Sequence, residues 1–316
     1  MYLLDKATKV DEEVNTLRSY LINNGQVHYV TSAFEKWNKR RVVMSGVDMT
    51  DGGIVYDDQI LHYENFQDFQ QRQSFLISRG CTTVAVAPVV EYEKQIEQTF
   101  KRAKHAMASS TLDYVIGLTL PVKLLSPSVL RTCQGLRIPF IRVMFSSYQE
   151  MNVLPWTHLS QTLLTYPSVL VPCVHLSPPK KEAILIKEWL MRCSAFQIHT
   201  VSNLTPLDRW SKALLQKIGL YPQKGILLNG SDADYLLFSR EDKHPDEVEK
   251  VVGEEKNVYD NREPAIVVIR GEMIKSNDNI SLKPGFGRLV EIKRPGKFLS
   301  ITEASGNDLQ QQRTSS

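Results

Sequence analysis

Six stretches of the chain are apolar almost without interruption: 41–49 (RVVMSGVDM), 81–90 (CTTVAVAPVV), 112–120 (LDYVIGLTL), 138–145 (IPFIRVMF), 168–176 (SVLVPCVHL) and 195–202 (AFQIHTVS). β-Branched and aromatic residues dominate them, and apolar and polar positions mostly fail to alternate. That pattern suits strands buried on both faces of a parallel sheet. Amphipathic segments lie between them, including EYEKQIEQTFKRAKHAMA at 91–108 and KKEAILIKEWLMRC at 180–193. The second opens after Ser-Pro-Pro, a helix-start signal. Repeated β-α units with short links predict a parallel α/β sheet, wound open or closed as a barrel.

The two ends read differently. YLINNGQVHYVTSAF, within the first forty residues, is two extended runs joined by Asn-Asn-Gly, a hairpin signal. Between 219 and 300, KGILLNGSDADYLLF and PAIVVIRGEMI are short strands with Gly-centred turns. A charged stretch, SREDKHPDEVEKVVGEEKNVYDNREP, separates those two, and the tail SGNDLQQQRTSS has nothing to bury and is expected to be disordered. The β character of both ends predicts that they meet in one small sheet domain flanking the α/β core.

Composition narrows the function classes. The 316 residues supply one large domain or two smaller ones, and 42% hydrophobic with 23% charged residues is ordinary for a globular protein. A net charge of +3 is too small to point to nucleic acid or a membrane surface. The basic run KWNKRR directly precedes a strand and reads as a solvated turn. Cys81, Cys133, Cys173 and Cys193 show no C-x-x-C spacing and sit in or beside apolar runs, which suits buried thiols in a reducing compartment. The N-terminus MYLLDKATKVDEEV lacks the basic region and apolar core of a signal peptide. No apolar run approaches the ~18 residues that span a bilayer. A cytoplasmic protein is the expectation.

Candidate chemistry concentrates in SGVDMTDGGIVYDD, where Asp48, Asp51, Asp57 and Asp58 follow a strand-like run. Carboxylates suit a hard cation, but the spacing is not that of an EF-hand loop, and a solvated loop is the plainer reading. Cys173 and His175 stand two apart on a strand and so share a face, yet no third group orients them. His28, His62, His105, His158 and His244 are scattered, and PGFGRL reads as a turn.

GLYPQKGILLNGSDADYLLF at 219–238 closely resembles the segment with which hydantoinases, dihydropyrimidinases and dihydroorotases of the amidohydrolase superfamily re-enter their small β domain. LINNGQVHYV, SGVDMTD, SRGCTTVAVAPV and AIVVIRGEMI resemble further family segments in the family's order, so the likeness covers nearly the whole chain. It implies an α/β fold with an incomplete (β/α) TIM-type barrel of about six β-α units at 46–218. A small β-sandwich would be built from 1–45 plus 219–300, and 301–316 would be a disordered tail.

In that family one or two metals at the barrel mouth activate a water that attacks a cyclic amide. Their ligands are H-x-H after the first strand, a carbamylated Lys, two further His and an Asp. Carried over, Asp48 matches the Asp before the first His, while Thr50 and Gly52 stand at the two histidines. Arg142 stands at the Lys and, always protonated, cannot form a carbamate. His175 is the only retained ligand-position residue. Thr200 stands at the next ligand position, and His199, one residue early, should point away. The last two β-α units, with the Asp, are missing.

The resemblance therefore implies a degenerate, shortened homologue with no metal, no cofactor and no catalytic residue. Its remnant pocket would be Asp48, Thr50, Gly52, Arg142, His175 and Thr200, with Arg142 expected to pair with Asp48. A pseudoenzyme with a structural or regulatory, protein-interaction role is the leading expectation. A non-catalytic module binding an anion or cyclic amide, and a residual cyclic-amide hydrolase, are the alternatives. Homo- or hetero-oligomers are the expected partners, with no nucleic acid and no membrane. Six strands do not close at the usual barrel geometry, so a rearranged sheet, the chain's own loops or another subunit must cover the open edges.

Overall fold

The computed structural model describes residues 1–10, 15–34, 36–174, 179–239 and 262–292. The two chain ends do meet. From the N-terminal side come β1 (Tyr2–Lys9), β2 (Thr16–Asn23), β3 (Gln26–Thr31), β4 (Arg41–Val43) and β5 (Val47–Asp51). After the central strands and helices come β12 (Tyr235–Ser239), β13 (Ile266–Ile269), β14 (Glu272–Ser276) and β15 (Asn279–Ile280). These nine strands form one hydrogen-bonded sheet in the order β15-β14-β13-β12-β5-β1-β2-β3, with β4 also paired to β1. The Asn-Asn-Gly hairpin forms between β2 and β3, with Asn24 and Gly25 at φ 48° and 77°. Arg270 and Gly271 turn β13 into β14 in the same way, at φ 47° and 73°. Two successive positive-φ residues match the twist of paired strands.

The expected strand at 41–49 divides at Gly46, whose φ is +85°. Its second half, β5, runs antiparallel to β12 from Asp51 opposite Tyr235 to Val47 opposite Ser239. The sheet thus extends beyond residue 45, and Asp48 and Thr50 belong to it rather than to the barrel. Most of the charged stretch after β12, and the C-terminal tail, lie outside the described residues.

The central strands form two three-stranded sheets: β6 (Gly53–Tyr56), β7 (Cys81–Val86) and β8 (Asp113–Ile116) in one, β9 (Leu118–Pro121), β10 (Phe140–Met144) and β11 (Val169–Cys173) in the other. β6, β7 and β8 pair in parallel, as do β9, β10 and β11. The predicted strand at 112–120 is split at Gly117, where an added Cβ would lie 2.5 Å from the Phe140 ring. Gly117 N–H still donates to Val86 at 2.8 Å, so the chain passes from one sheet to the other without leaving the wall. Helices α1 (Phe66–Ser78), α2 (Ile96–Ala106), α3 (Pro127–Gly135), α4 (Tyr148–Asn152), α5 (Trp156–Leu163), α6 (Pro179–Ala195) and α7 (Lys212–Ile218) complete the units. Their starts are locally encoded: Asn65, Ser126, Ser147 and Ser211 each accept a backbone N–H of the first turn.

The strand predicted at 195–202 does not form. Only Thr200 bridges Leu170 on β11, and Leu170 N–H donates to His199 at 2.9 Å. The chain then crosses to β6, where Leu207 and Trp210 donate to Tyr56 and Ile54 at 2.9 and 2.8 Å. The segment 199–210 thereby occupies the open edges of both β11 and β6. Leu204 and Trp210 join one apolar cluster with Ile54, Tyr56, Val115, Phe140, Val169 and Val171, between the two central sheets. Trp210 meets Phe140 edge-on, with ring centroids 5.8 Å apart. The interior is a packed apolar core.

Where the sheet meets the barrel, space is tight and charge is buried. An added Cβ at Gly52 would lie 2.5 Å from Thr82 Oγ1, and one at Gly53 would lie 2.7 Å from the Gly80 carbonyl. Lys224, 1% exposed, reaches Asp234 at 2.7 Å and Asp232 at 3.0 Å and also pairs with Asp113, the first residue of β8. Arg288 grips Asp232 with 2.6 Å contacts to both oxygens, and Arg270 lies 3.3 Å from Asp113. Three cations thus face three carboxylates. Burial alone would lower the Lys224 pKa, but the three carboxylates outweigh it and hold it above its ordinary value. Asp232, bound by two cations, is held below its ordinary value against the effect of burial. At Asp234 burial wins, reinforced by Asp113, and its pKa is raised.

Candidate functional site

The parallel strands end at a common mouth, the position at which barrels of this kind carry chemistry. Three side chains meet there: Tyr56, the last residue of β6; Arg142, within β10; and Cys173, the last residue of β11. Arg142 shares a strand face with Phe140, and Tyr56 with Ile54, so the polar layer sits directly over the apolar one. Arg142 Nη1 donates to the Tyr56 hydroxyl, and Nη2 donates to Cys173 Sγ at 3.3 Å. The guanidinium carbon is 4.6 Å from the Tyr56 ring centroid. Among the described residues no carboxylate lies within ion-pair distance of Arg142.

The protonation states follow from this setting. Burial pushes the Tyr56 phenol up to about 12; Arg142 opposes the shift, while Asp58, Cys173 and Asp57 add to it. Burial likewise raises the Cys173 thiol, again opposed by Arg142 and aided by Glu182 and Asp58. At neutral pH the layer is a fixed cation held by a neutral phenol and a neutral thiol. None of the three is a base or an activated nucleophile there. A metal centre does not fit this donor set, because the fixed guanidinium repels a dication and only one thiol and one phenol stand beside it. Among the described residues no group of three or more His, Cys, Asp or Glu could hold a metal ion.

The residues expected in the pocket are dispersed. Asp48 lies on β5, opposite Thr8 and Phe238. Thr50 lies opposite Leu236 on the same strand, and Gly52 forms the tight joint described above. The expected Arg142–Asp48 pair is absent, because the two stand in different sheets. SGVDMTD, on which the resemblance places H-x-H, lies in the large sheet, and the first central parallel strand is GIVY, immediately after it. Thr200 stays at the β11 edge, where its hydroxyl donates to Leu170 at 2.6 Å and accepts from the Trp189 indole at 3.2 Å. His175 lies outside the described residues. Of the five that are described, only Arg142 is placed at the mouth.

Asp57 and Asp51 of the stretch SGVDMTDGGIVYDD are held in ion pairs. Asp57, fully buried, accepts from Arg72 through both oxygens at 2.8 Å and from Gln59 N–H at 3.1 Å. Asp51 pairs with Lys9 at 3.0 Å. All four cysteines are buried thiols, and no disulfide joins them. Tyr56 was missed because it reads as one more apolar strand residue, although it is followed by Asp-Asp at a strand end. The Lys224 cluster was missed because PQKG and GSDAD are separated from each other by a turn, and Lys224 stands 111 residues from Asp113, with which they pack.

Neither a protein-family model nor a curated protein matches the chain. Its architecture is nevertheless that of the hydantoinases and dihydropyrimidinases among the amidohydrolases. The chain aligns over 92% of its length with 99% of an L-hydantoinase (dihydropyrimidinase) from Arthrobacter aurescens, at 12% identity and a TM-score of 0.64. It aligns over 93% of its length with 100% of a dihydropyrimidinase from Brevibacillus agri, at 12% identity and a TM-score of 0.65. A D-hydantoinase aligns with 94% of the chain at 14% identity and a TM-score of 0.60. At such identities the likeness is one of fold. Among the described residues no helix is long and apolar enough to cross a membrane.

Proposed function

We propose that this protein is a pseudoenzyme on a hydantoinase-type scaffold, with a structural or regulatory role exercised through protein contacts. The observation that carries the reading is the mouth layer: Arg142, with a neutral Tyr56 and a neutral Cys173, stands over an interior filled by Phe140 and Trp210. Hydrolysis of a cyclic amide needs an activated water and a group to take its proton, and this layer supplies neither. The reading includes an incomplete barrel of about six β-α units, with 199–210 standing in for the missing ones, and a small β-sandwich made from both chain ends. It also includes a cytoplasmic location and assembly with copies of itself or with another protein.

Purified protein, assayed for bound zinc and for turnover of hydantoin and dihydrouracil, tests the catalytic half. Substoichiometric metal and no turnover are expected; stoichiometric zinc with turnover would overturn the reading. Light scattering and co-purification test the second half, where a lone monomer that brings down nothing counts against a scaffolding role.

A further inference from the structure

One ridge of the helical surface is apolar in the middle and cationic along one side. Ile184 and Met191 stand two turns apart on α6, about 10 Å along one stripe, and are 56% and 52% exposed. Val153, between α4 and α5, is 84% exposed. The two places adjoin, because Arg192 Nη2 donates to the Asn152 side chain at 2.7 Å while its Nε donates to Glu188 at 2.7 Å. That bridge seats the end of α4 beside the C-terminal half of α6, with Val153 and Met191 next in the chain to the residues it joins. Exposed apolar side chains scattered singly are ordinary, whereas several gathered on one ridge are what a partner covers.

Lys180 and Lys187, also seven residues apart, form a row beside this stripe, each four residues before its apolar neighbour and so adjacent to it on the helix. Both are exposed, and among the described residues no carboxylate lies within ion-pair distance of either. The acids of the two helices are used elsewhere. Glu188 holds Arg192, and Glu150 accepts the backbone N–H groups of Ser146 and Ser147 at 2.6 and 3.1 Å. Glu182 shares the side of α6 that carries the buried Leu185 and Trp189, away from the lysines. On the other side of the stripe, Arg192, Glu188 and Asn152 already hydrogen-bond one another, so covering them costs less than covering free charges.

We infer that this ridge docks an amphipathic helix of a partner protein, its apolar stripe on Ile184, Met191 and Val153 and its acidic flank against Lys180 and Lys187. Such docking rests on the protein-contact role proposed above and gives that role a surface and a partner chemistry. A second copy of α6 is the poorer match. An antiparallel two-fold sets lysine row against lysine row, and a parallel one sets it against the flank of Lys181 and Arg192, whose one acid is already held.

Fluorescence anisotropy of designed helical peptides, titrated with the full-length protein, tests it. One peptide carries a leucine stripe flanked by glutamates, the other the same stripe flanked by lysines. The acidic peptide should bind about tenfold tighter, since attractive contacts replace repulsive ones. Ile184→Glu and Met191→Glu should each weaken it by about tenfold, and Lys180→Glu combined with Lys187→Glu should reverse the preference between the peptides. Met273→Glu, at an exposed position of the nine-stranded sheet, should leave binding unchanged. All these side chains lie at the surface, and an unchanged melting temperature checks that each variant is folded. No binding of the acidic peptide, equal affinity for both, or affinity unaltered by Met191→Glu would overturn the inference. So would a dimer, or adsorption to vesicles of phosphatidylserine and phosphatidylcholine in equal parts, that Met191→Glu abolishes, since the ridge would then serve a second copy or a membrane. Zinc and turnover are read on the same preparation. No turnover with no peptide binding overturns this surface alone, whereas stoichiometric zinc with turnover overturns the role on which it rests.

Discussion

Two cations at opposite ends of the central strands, one buried and one half-buried, have been accommodated by opposite means. Lys224 is wrapped by three carboxylates, which are themselves held by Arg270 and Arg288. Arg142, half-buried at the mouth, has a phenol and a thiol for hydrogen-bond partners. In the first case the charges define one another, and removing a member strands the rest. In the second, the partners are neutral and keep their place without the cation. The clamp is where this molecule concentrates paired, buried charge; at the mouth, among the described residues, Arg142 has no carboxylate within ion-pair distance.

Breaking the clamp should therefore cost most. Lys224→Met leaves three carboxylates facing one another in a buried site and should lose about 3–5 kcal/mol by denaturant unfolding. If the loss stays under about 1 kcal/mol, the carboxylates are relieved by the two arginines and the clamp is no unit. Trp210→Ala should cost about 3–5 kcal/mol as well, less if the cavity collapses, because it removes the plug supplied by the closing segment. A minor effect would show that 199–210 merely lies over the barrel edge.

Raising the pH should strain both ends. Lys224 is raised above its ordinary 10.5, so its contribution is complete below that value and is lost as the pH climbs through the folded value. Tyr56 moves from an ordinary 10.0 to about 12. Its unfolded phenol gives up a proton first, so stability falls across that interval, on the order of 2 kcal/mol. Both signs predict alkaline destabilisation from about pH 10, measurable as a falling melting temperature. On the acid side Asp232, held below its ordinary 3.8, contributes above that value and loses its contribution as the pH falls through the folded one.

The smallest effect sharpens the contrast most. Arg142→Met should change stability by no more than about 1 kcal/mol, since an unneutralised charge is exchanged for a side chain of similar length among neutral partners. A loss matching that of Lys224→Met would mean the mouth is held together by its cation, and the contrast would fail.

Local signals in the chain were enough for much of this architecture. Asn24-Gly25 specified a hairpin, Ser126-Pro127 and Ser211 specified helix starts, and the continuous apolar runs specified strands that are buried throughout, as in β7, β8 and β11. The arginine at 142 was legible for the same reason, since its neighbours name the strand. Three things lay beyond any local pattern. Whether VDMTD joins the sheet or the barrel depends on β12, which arrives nearly two hundred residues later to pair with it. The covering of the free edge of β6 depends on backbone donors at Leu207 and Trp210, which carry no residue signature at all. The clamp joins Asp113 to Lys224 and Arg288, charges that read singly as solvated surface. Local propensity settles most of the elements, though not the strand expected at 195–202. Pairing, closure and the pairing of buried charge are settled only when distant segments compete for the same hydrogen bonds and the same dry volume.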